Sequence, residues 1–305
     1  MPIAEKKLVI LAGPTGVGKT DASIAIAKHF GTEIISCDSR QFFRELSIGT
    51  AVPSQEQLKT VRHHLIGNKS IHDYYNAYLF EQDALQILEQ LFMKHNVALM
   101  VGGSGMYSDV IENGIDDLPD IDEQIRHDVG QLYKEQGLAG LRNELKTHDP
   151  EFYSRTDLKN YKRIIRAVEV CWQTGKPYSS FRRKEKAKRN FSIHTYCFTR
   201  DREELYQRIN RRVEQMVEQG LVDEARQFYH LRELNALNTV GYKELFDYFD
   251  GRYPLEKAIE LIQRNTRHYA KKQLSWYRRN PSIQYLHSNE AGKLIDIIKG
   301  TTQNL

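Results

Sequence analysis

What the sequence lacks narrows it first. No apolar run approaches the roughly 20 residues a membrane span needs, and Met1 to Lys7 has no long apolar segment of the secretory kind. The expectation is a cytoplasmic protein with no membrane partner. Cys37, Cys171 and Cys197 stand far apart, with no C-x-x-C pair and no histidine pair beside them to complete a zinc site. That spacing excludes a disulfide scaffold and a zinc module, and predicts free thiols. The adjacent His63-His64 is read as loop, where a histidine pair is solvated or structural rather than a metal ligand. Internal repeats and low-complexity linkers are missing, which excludes solenoids and disordered arrays. A dominant charge is missing too, since 44 basic against 40 acidic side chains leave only +4. Any affinity for nucleic acid must therefore come from local clusters.

Such clusters are present. "YKRIIRA" at Tyr161 to Ala167, "FRRKEKAKR" at Phe181 to Arg189 and "RNTRHYAKKQLSWYRR" at Arg264 to Arg279 interleave arginine and lysine with tyrosine and tryptophan. Solvated helix faces would look similar, but three clusters with aromatic company favour RNA. The 305-residue chain, 40% apolar, is long enough for one large core and a second small one.

The most specific motif lies near the start. Leu8-Val9-Ile10-Leu11 reads as a buried strand and Asp21 to Phe30 as a helix. Between them Gly13, Pro14, Thr15, Gly16, Val17, Gly18, Lys19 and Thr20 fit the G-x-x-x-x-G-K-[ST] phosphate loop. The glycines let backbone N–H groups turn inward, Lys19 adds a point charge and the helix N-terminus adds its dipole. Polyphosphate is the expected guest, with the Thr20 hydroxyl on a magnesium ion that shares its oxygens. No metal beyond magnesium is expected.

Strands and helices then alternate: a strand at Glu33–Ser36, a helix around Phe80–His95, and a strand at Val97–Val101 running into "GGSGMY". From about Asp116 only charged helical segments follow, until the strand-like "SIHTYCFT" at Ser192–Thr199. Further helices come next, with a last strand at Ser282–Leu286. The pattern predicts an α/β fold, a P-loop NTPase-like parallel sheet core with a helical insertion. The core is expected over 1–115 and 190–305, and the insertion over 116–189.

One absence within this pattern is informative. Phosphate-loop ATPases carry an acidic residue at the end of a second buried strand to hold magnesium, whereas "VALMVGGSGMY" ends in glycines and Ser104. That disfavours a motor or switch ATPase, and a non-catalytic ATP-dependent RNA-binding protein with it. The nearest carboxylate follows a different strand, Asp38 in "EIISCDSRQFF", at the strand end where open α/β sheets bind ligands.

At these residues the sequence resembles the tRNA dimethylallyltransferases, also called tRNA isopentenyltransferases. "GPTGVGKT", "SCDSRQFF", "VGGSGMY", "YKRIIRAVEV", "RRVEQMVEQGLVDE", "VGYKE" and "TRHYAKKQLSWYRR" match the family's blocks in order along most of the chain. Ser104 stands where the family usually has threonine, which keeps the hydroxyl. The zinc finger of eukaryotic members has no counterpart, so the bacterial type is the better match. The resemblance implies transfer of a dimethylallyl group from dimethylallyl diphosphate to the exocyclic amine of the adenine just 3′ of the anticodon in tRNA. The phosphate loop would then hold a leaving group rather than a nucleotide to be hydrolysed.

The resemblance also implies residue roles. Asp38 matches the general base on the adenine amine, Thr15 a donor to the bridging diphosphate oxygen, and Arg212 the arginine that grips the diphosphate. Arg211 beside it points about 100° away on a helix, so only one of the two is expected to face the site. Asp38, Ser39, Arg40 and Gln41 are implied to lie against the adenine and its neighbours, and Ser104 and Arg126 to touch RNA. Lys162, Arg163 and Arg166 are implied to approach the anticodon loop, as is the turn Asn238, Thr239, Val240, Gly241, Tyr242 and Lys243. The adenine would have to be extruded from its stack to reach Asp38. A monomer is expected. The competing readings are an adenylate isopentenyltransferase, which modifies a free nucleotide and needs no RNA-facing clusters, and a phosphate-loop kinase of a small metabolite, which would use Asp38 as base for a hydroxyl.

Overall fold

The computed structural model describes residues 5–182 and 186–303. They fall into two compact units, Met1–Asn113 with Lys188–Leu305, and Gly114–Ala187. In the first unit six strands, β1 (Lys7–Ala12), β2 (Ile34–Ser36), β3 (His63–His64), β4 (Val97–Val101), β5 (Ser192–Thr199) and β6 (Gln284–His287), form one sheet in the order β3-β2-β4-β1-β5-β6. Every pairing is parallel. Leu8 of the central strand pairs with Ala98 on one side and Ile193 on the other. A parallel sheet is covered on both faces, so its inner strands are apolar at every position rather than at alternate ones. β1, "KLVILA", is buried throughout.

The helices of this unit are α1 (Lys19–Phe30), α2 (Gln55–Thr60), α3 (Ala77–Phe92) and α4 (Gly105–Asn113) before the excursion. The excursion, Gly114–Ala187, holds α5 (Glu123–His148), interrupted at Gly137, with α6 (Pro150–Arg155) and α7 (Tyr161–Thr174). The first unit resumes with α8 (Arg202–Glu218), α9 (Leu221–Gln227), α10 (Tyr242–Phe249), α11 (Leu255–Tyr277) and α12 (Ala291–Gln303). α3 shows how the sequence sets such an element. The Asn76 side chain caps it by accepting from the Leu79 N–H at 2.9 Å. Phe80, Ala84, Leu88 and Leu91 then recur on one buried face. Each large side chain in that stripe contributes about 2 kcal/mol by leaving water.

The second unit has its own core, in which Ile164, Ala167, Val168 and Cys171 of α7 pack with Val129, Leu141, Leu145 and Phe152. That stripe leaves Lys162 and Arg163 on the exposed face. Arg166 is half-buried, donating to the Pro119 carbonyl at 3.2 Å and pairing with Glu169 at 3.8 Å. The α/β reading from sequence holds, with three local differences. β3 forms at His63-His64, read as loop, because two residues on a sheet edge carry no periodic signal. The long helix before β4 starts and ends three residues earlier than expected, and the last strand is shifted to Gln284–His287.

Of the described residues in the basic run Phe181 to Arg189, Lys186 and Lys188 are exposed, while the two arginines are engaged. Arg183, Lys184 and Glu185 lie outside the described residues, and Arg182 pairs with Asp116 at 3.0 Å. Arg189 donates to the carbonyls of Ile111 at 2.9 Å and Val110 at 3.0 Å and pairs with the buried Glu81. Its guanidinium is a structural clasp in the first unit, not a free phosphate contact.

Candidate active site

Three turns at the carboxyl edge of the sheet form the candidate site: residues 13–18 after β1, 37–41 after β2 and 102–104 after β4. In the first, Gly13 has φ 143°, and a Cβ there would lie 2.9 Å from the Phe198 carbonyl oxygen, so only glycine fits. Lys19 Nζ curls over the turn and donates to the carbonyls of Gly13 at 2.8 Å and Pro14 at 2.9 Å. Burial, partly opposed by Asp38 and reinforced by Arg212, pushes its pKa down to about 8. Arg208 and Arg212 lie one turn apart on one face of α8. Arg208 Nε donates to the Gly16 carbonyl at 2.8 Å, and Arg212 Nη1 reaches the Thr15 hydroxyl at 3.3 Å. Burial lowers the pKa of Arg212, and Asp38 opposes that.

The second turn presents Asp38. Its Oδ1 accepts from the Arg40 N–H at 2.9 Å, which fixes the carboxylate at the strand end. The Ser39 N–H donates to the Ser104 hydroxyl of the third turn at 3.2 Å. Arg40 donates to the carbonyls of Asn235 at 2.8 Å and Asn238 at 3.3 Å, and so carries the 235–238 segment. Gln41 accepts from the Ser36 hydroxyl at 3.2 Å and donates to the Ala51 carbonyl at 3.0 Å. Gln273 of α11, 6% exposed, ties the first and third turns together. Its Oε1 accepts from the Thr15 N–H at 2.9 Å and its Nε2 donates to the Gly103 carbonyl at 2.9 Å.

These groups line one cavity of about 920 Å³. Its wall includes Thr15, Gly16, Gly18, Lys19 and Thr20 from the phosphate loop, Asp38, Ser39, Arg40 and Gln41 from the second turn, Arg212, and Asn238, Thr239, Val240, Gly241 and Lys243. Arg211 is exposed yet also borders the cavity, so the expectation that only one of the two arginines would face it is corrected: the opening is wide enough for both. Of the two, Arg212 reaches the Thr15 hydroxyl.

Other expected residues are placed differently. Tyr242 is fully buried with its hydroxyl 2.6 Å from Glu224, which corrects its assignment to RNA contact, since a ring inside the core has no face to offer. The Val17 side chain belongs to the core under the loop, and Gly13 and Pro14 serve through the carbonyls that hold Lys19. Ser104 is buried, with its hydroxyl accepting from the Ser39 N–H and also hydrogen-bonded to Tyr269. Arg126, Lys162, Arg163 and Arg166 belong to the second unit, where Arg126 is exposed near Glu169. The three cysteines are free and buried, and burial pushes the thiols of Cys37 and Cys197 up to about 12.

Sequence reasoning missed Gln273, Glu224, Arg208 and Tyr269. Gln273 had a signal, because it shares the buried stripe of α11 with Ile262, Ala270 and Tyr277, and a polar residue on such a stripe needs partners. Tyr269 lines the cavity and is 38% exposed, while burial of its hydroxyl end and the nearby Asp38 raise its pKa.

The fold and site define an α/β protein of P-loop type whose glycine-rich loop opens into the same cavity as a strand-end carboxylate. Comparison with known proteins narrows this. The sequence matches the IPP transferase family over residues 41–280. It is 50% identical over 298 residues to tRNA dimethylallyltransferase 1 of Bacteroides thetaiotaomicron, covering 98% of this chain and 96% of that one. It is also 50% identical over 288 residues to tRNA dimethylallyltransferase of Christiangramia forsetii, covering 94% and 95%. The crystal structure of the tRNA isopentenylpyrophosphate transferase from Bacillus halodurans superposes with a TM-score of 0.72 at 34% identity, covering 98% of this chain and 97% of that one. The chain belongs to the IPP transferase family.

Proposed function

We propose that this protein transfers a dimethylallyl group from dimethylallyl diphosphate to the exocyclic amine of the adenine 3′ of the anticodon in tRNA, releasing diphosphate. The observation that carries the reading is that the Asp38 carboxylate and the Thr15, Lys19 and Arg212 cradle line one cavity. A nucleophile held by the first meets an electrophile held by the second. The adenine nitrogen attacks the allylic carbon as the carbon–oxygen bond to diphosphate breaks, and the electron pair leaves with the diphosphate. The amine proton passes to Asp38. Because an adenine amine is a weak nucleophile, orientation by Asp38 contributes more than basicity.

Charge grows on the departing oxygen, so donors fixed around it lower the barrier. The Thr15 hydroxyl, the Lys19 ammonium and the planar Arg212 guanidinium supply them. The two carbonyls that hold Lys19 in the free protein give way to phosphate oxygens. Thr20 lines the cavity beside Asp21, whose Oδ1 accepts from Gln57 at 3.0 Å. Such oxygen donors suit a hard divalent cation, and Thr20 with the diphosphate oxygens would hold magnesium. Bound there, such an ion would supply positive charge to offset that of the leaving group. Among the described residues a cluster of three side chains able to hold a metal occurs at Asp201, Glu204 and His287, which do not line the cavity.

RNA contact is assigned to Ser39, Arg40, Gln41, the 238–241 turn, Lys243 and the exposed Lys162, Arg163 and Arg126, with Gly114–Ala187 as the anticodon-facing unit. Among the described residues no helix is long and apolar enough to cross a membrane. We further assign the cytoplasm and a monomeric state. The test is mass analysis of nucleosides from bulk tRNA incubated with the protein and dimethylallyl diphosphate. Adenosine carrying one dimethylallyl group is expected, whereas no modified nucleoside, or equal activity on free adenosine monophosphate, overturns the proposal.

A further inference from the structure

The chain between Leu46 and Val52 forms a strap along the cavity wall, with Gly49, Thr50, Ala51 and Val52 in the lining. One carboxylate holds it from behind. Glu224 of α9, 8% exposed and outside the lining, accepts from the N–H groups of Ser47 at 3.1 Å, Ile48 at 2.9 Å and Gly49 at 2.9 Å. It also accepts from the Ser47 hydroxyl at 3.0 Å and the Tyr242 hydroxyl at 2.6 Å. Gly49 permits this because a Cβ there would meet the Tyr242 ring at 2.6 Å. Five donors converge on a group that has only acceptor sites to offer.

The strap's far end joins the two halves of the cavity. The Ala51 carbonyl accepts from Gln41 Nε2 at 3.0 Å, on the Asp38 side, and from Arg212 Nη2 at 3.4 Å, on the diphosphate side. Ala51 holds a φ of 54°, and its N–H donates to the Ile48 carbonyl at 2.9 Å, so its direction follows from residues that Glu224 grips. We infer that Glu224 is a positioning residue that, through the strap and the Ala51 carbonyl, sets the spacing between the Asp38 turn and Arg212. The inference rests on the proposed transfer reaction, in which those two sides hold the two reactants. Glu224 touches neither.

Glu224→Gln tests it with nearly unchanged shape. The amide nitrogen best replaces Oε1, where it faces the Tyr242 hydroxyl and the Gly49 N–H. The hydroxyl can rotate to accept, but the Gly49 N–H cannot, so the lost bond falls two residues before Ala51. In full-length protein, kcat with both substrates saturating is expected to fall about tenfold or more, the scale of one charge-assisted hydrogen bond. The affinity for inorganic pyrophosphate alone, by calorimetry, and KM for tRNA should change less than about threefold, because every group that touches a substrate remains. Tyr242→Phe, which keeps all three backbone donors, should stay closer to wild type.

An unaltered kcat in Glu224→Gln, or a loss matched by the fraction of protein unfolded, overturns the inference. If that variant does not fold, Glu224→Asp replaces it, keeping an acceptor-only group but withdrawing it by one methylene. A lower kcat with pyrophosphate binding retained is then expected, and wild-type kcat overturns. Wild-type protein that transfers no dimethylallyl group overturns the proposed reaction and this inference together, and is told apart from an active wild type matched by its variant.

Discussion

Lys19 gives the sharpest test of how the loop meets its guest. In the free protein its ammonium rests on two carbonyls, and burial pulls its pKa from the ordinary lysine value of 10.5 to about 8. That difference disfavours the protonated form by up to about 3 kcal/mol. A diphosphate in the cradle adds negative charge beside Nζ and raises the pKa again. The bound state therefore keeps a proton that the free protein loses as pH rises through about 8, and binding must take up that proton. Calorimetric titration with inorganic pyrophosphate, in two buffers of different ionisation heat, counts it. Wild type should take up about half a proton more than Lys19→Arg at pH 8, and most of a proton more near pH 9, since arginine stays charged. The ligand's own titration is common to both proteins and cancels. Wild-type affinity, relative to the variant, should fall by up to about tenfold per pH unit above 8. The unliganded fold shows the opposite sign. The unfolded chain binds more protons between about 8 and 10.5, so the Lys19 contribution to stability rises with pH across that window. Equal proton uptake by wild type and Lys19→Arg across this range would refute the buried-ammonium account.

Asp38→Asn should remove transfer yet leave pyrophosphate affinity within about threefold by calorimetry, because its side chain is assigned to the adenine; near-normal turnover would sink the general-base role. Arg212→Ala should lower kcat on the order of a hundredfold or more, the scale of one lost charge-stabilising donor, while Arg211→Ala, at the exposed rim, should cost under tenfold. The reverse order in steady-state assays would mean the wrong arginine has been assigned. Neutralising Lys162 and Arg163 together should weaken tRNA binding and reduce the slope of log affinity against log salt by about two, with pyrophosphate affinity unaltered. An unaltered slope in filter-binding titrations would return both to the role of solvated helix surface.

The central strands were legible because burial on both faces writes itself as an uninterrupted apolar run, as in "KLVILA" and "VALMV". The phosphate loop was legible because a backbone shape this tight admits few residues. Asp38 was legible from its position at a strand end, and the cavity does bring it together with the loop. β3 left no trace, since two residues cannot show a period. Tyr242 misled because it sits inside a turn whose neighbours do line the cavity, and one step along the chain separates a wall from a core. Glu224 and Gln273 stood in stretches already quoted for their likeness. Their work was hidden because each acts on backbone atoms far away in sequence, at Ser47 to Gly49 and at Thr15 and Gly103. A linear reading has no register for such partners.

The clasp at Arg189 has a consequence for how this architecture can vary. The chain departs for its helical excursion just after α4 and is fastened on return to the carbonyls of Val110 and Ile111, a few residues before the point of departure. A loop whose two feet are bolted together behaves as a cassette. Its contents can be lengthened, shortened or exchanged while the sheet keeps its order, because the seam is closed by atoms that belong to neither end of the inserted piece. Variation can therefore accumulate in 114–187 while the strands of the first unit keep their order.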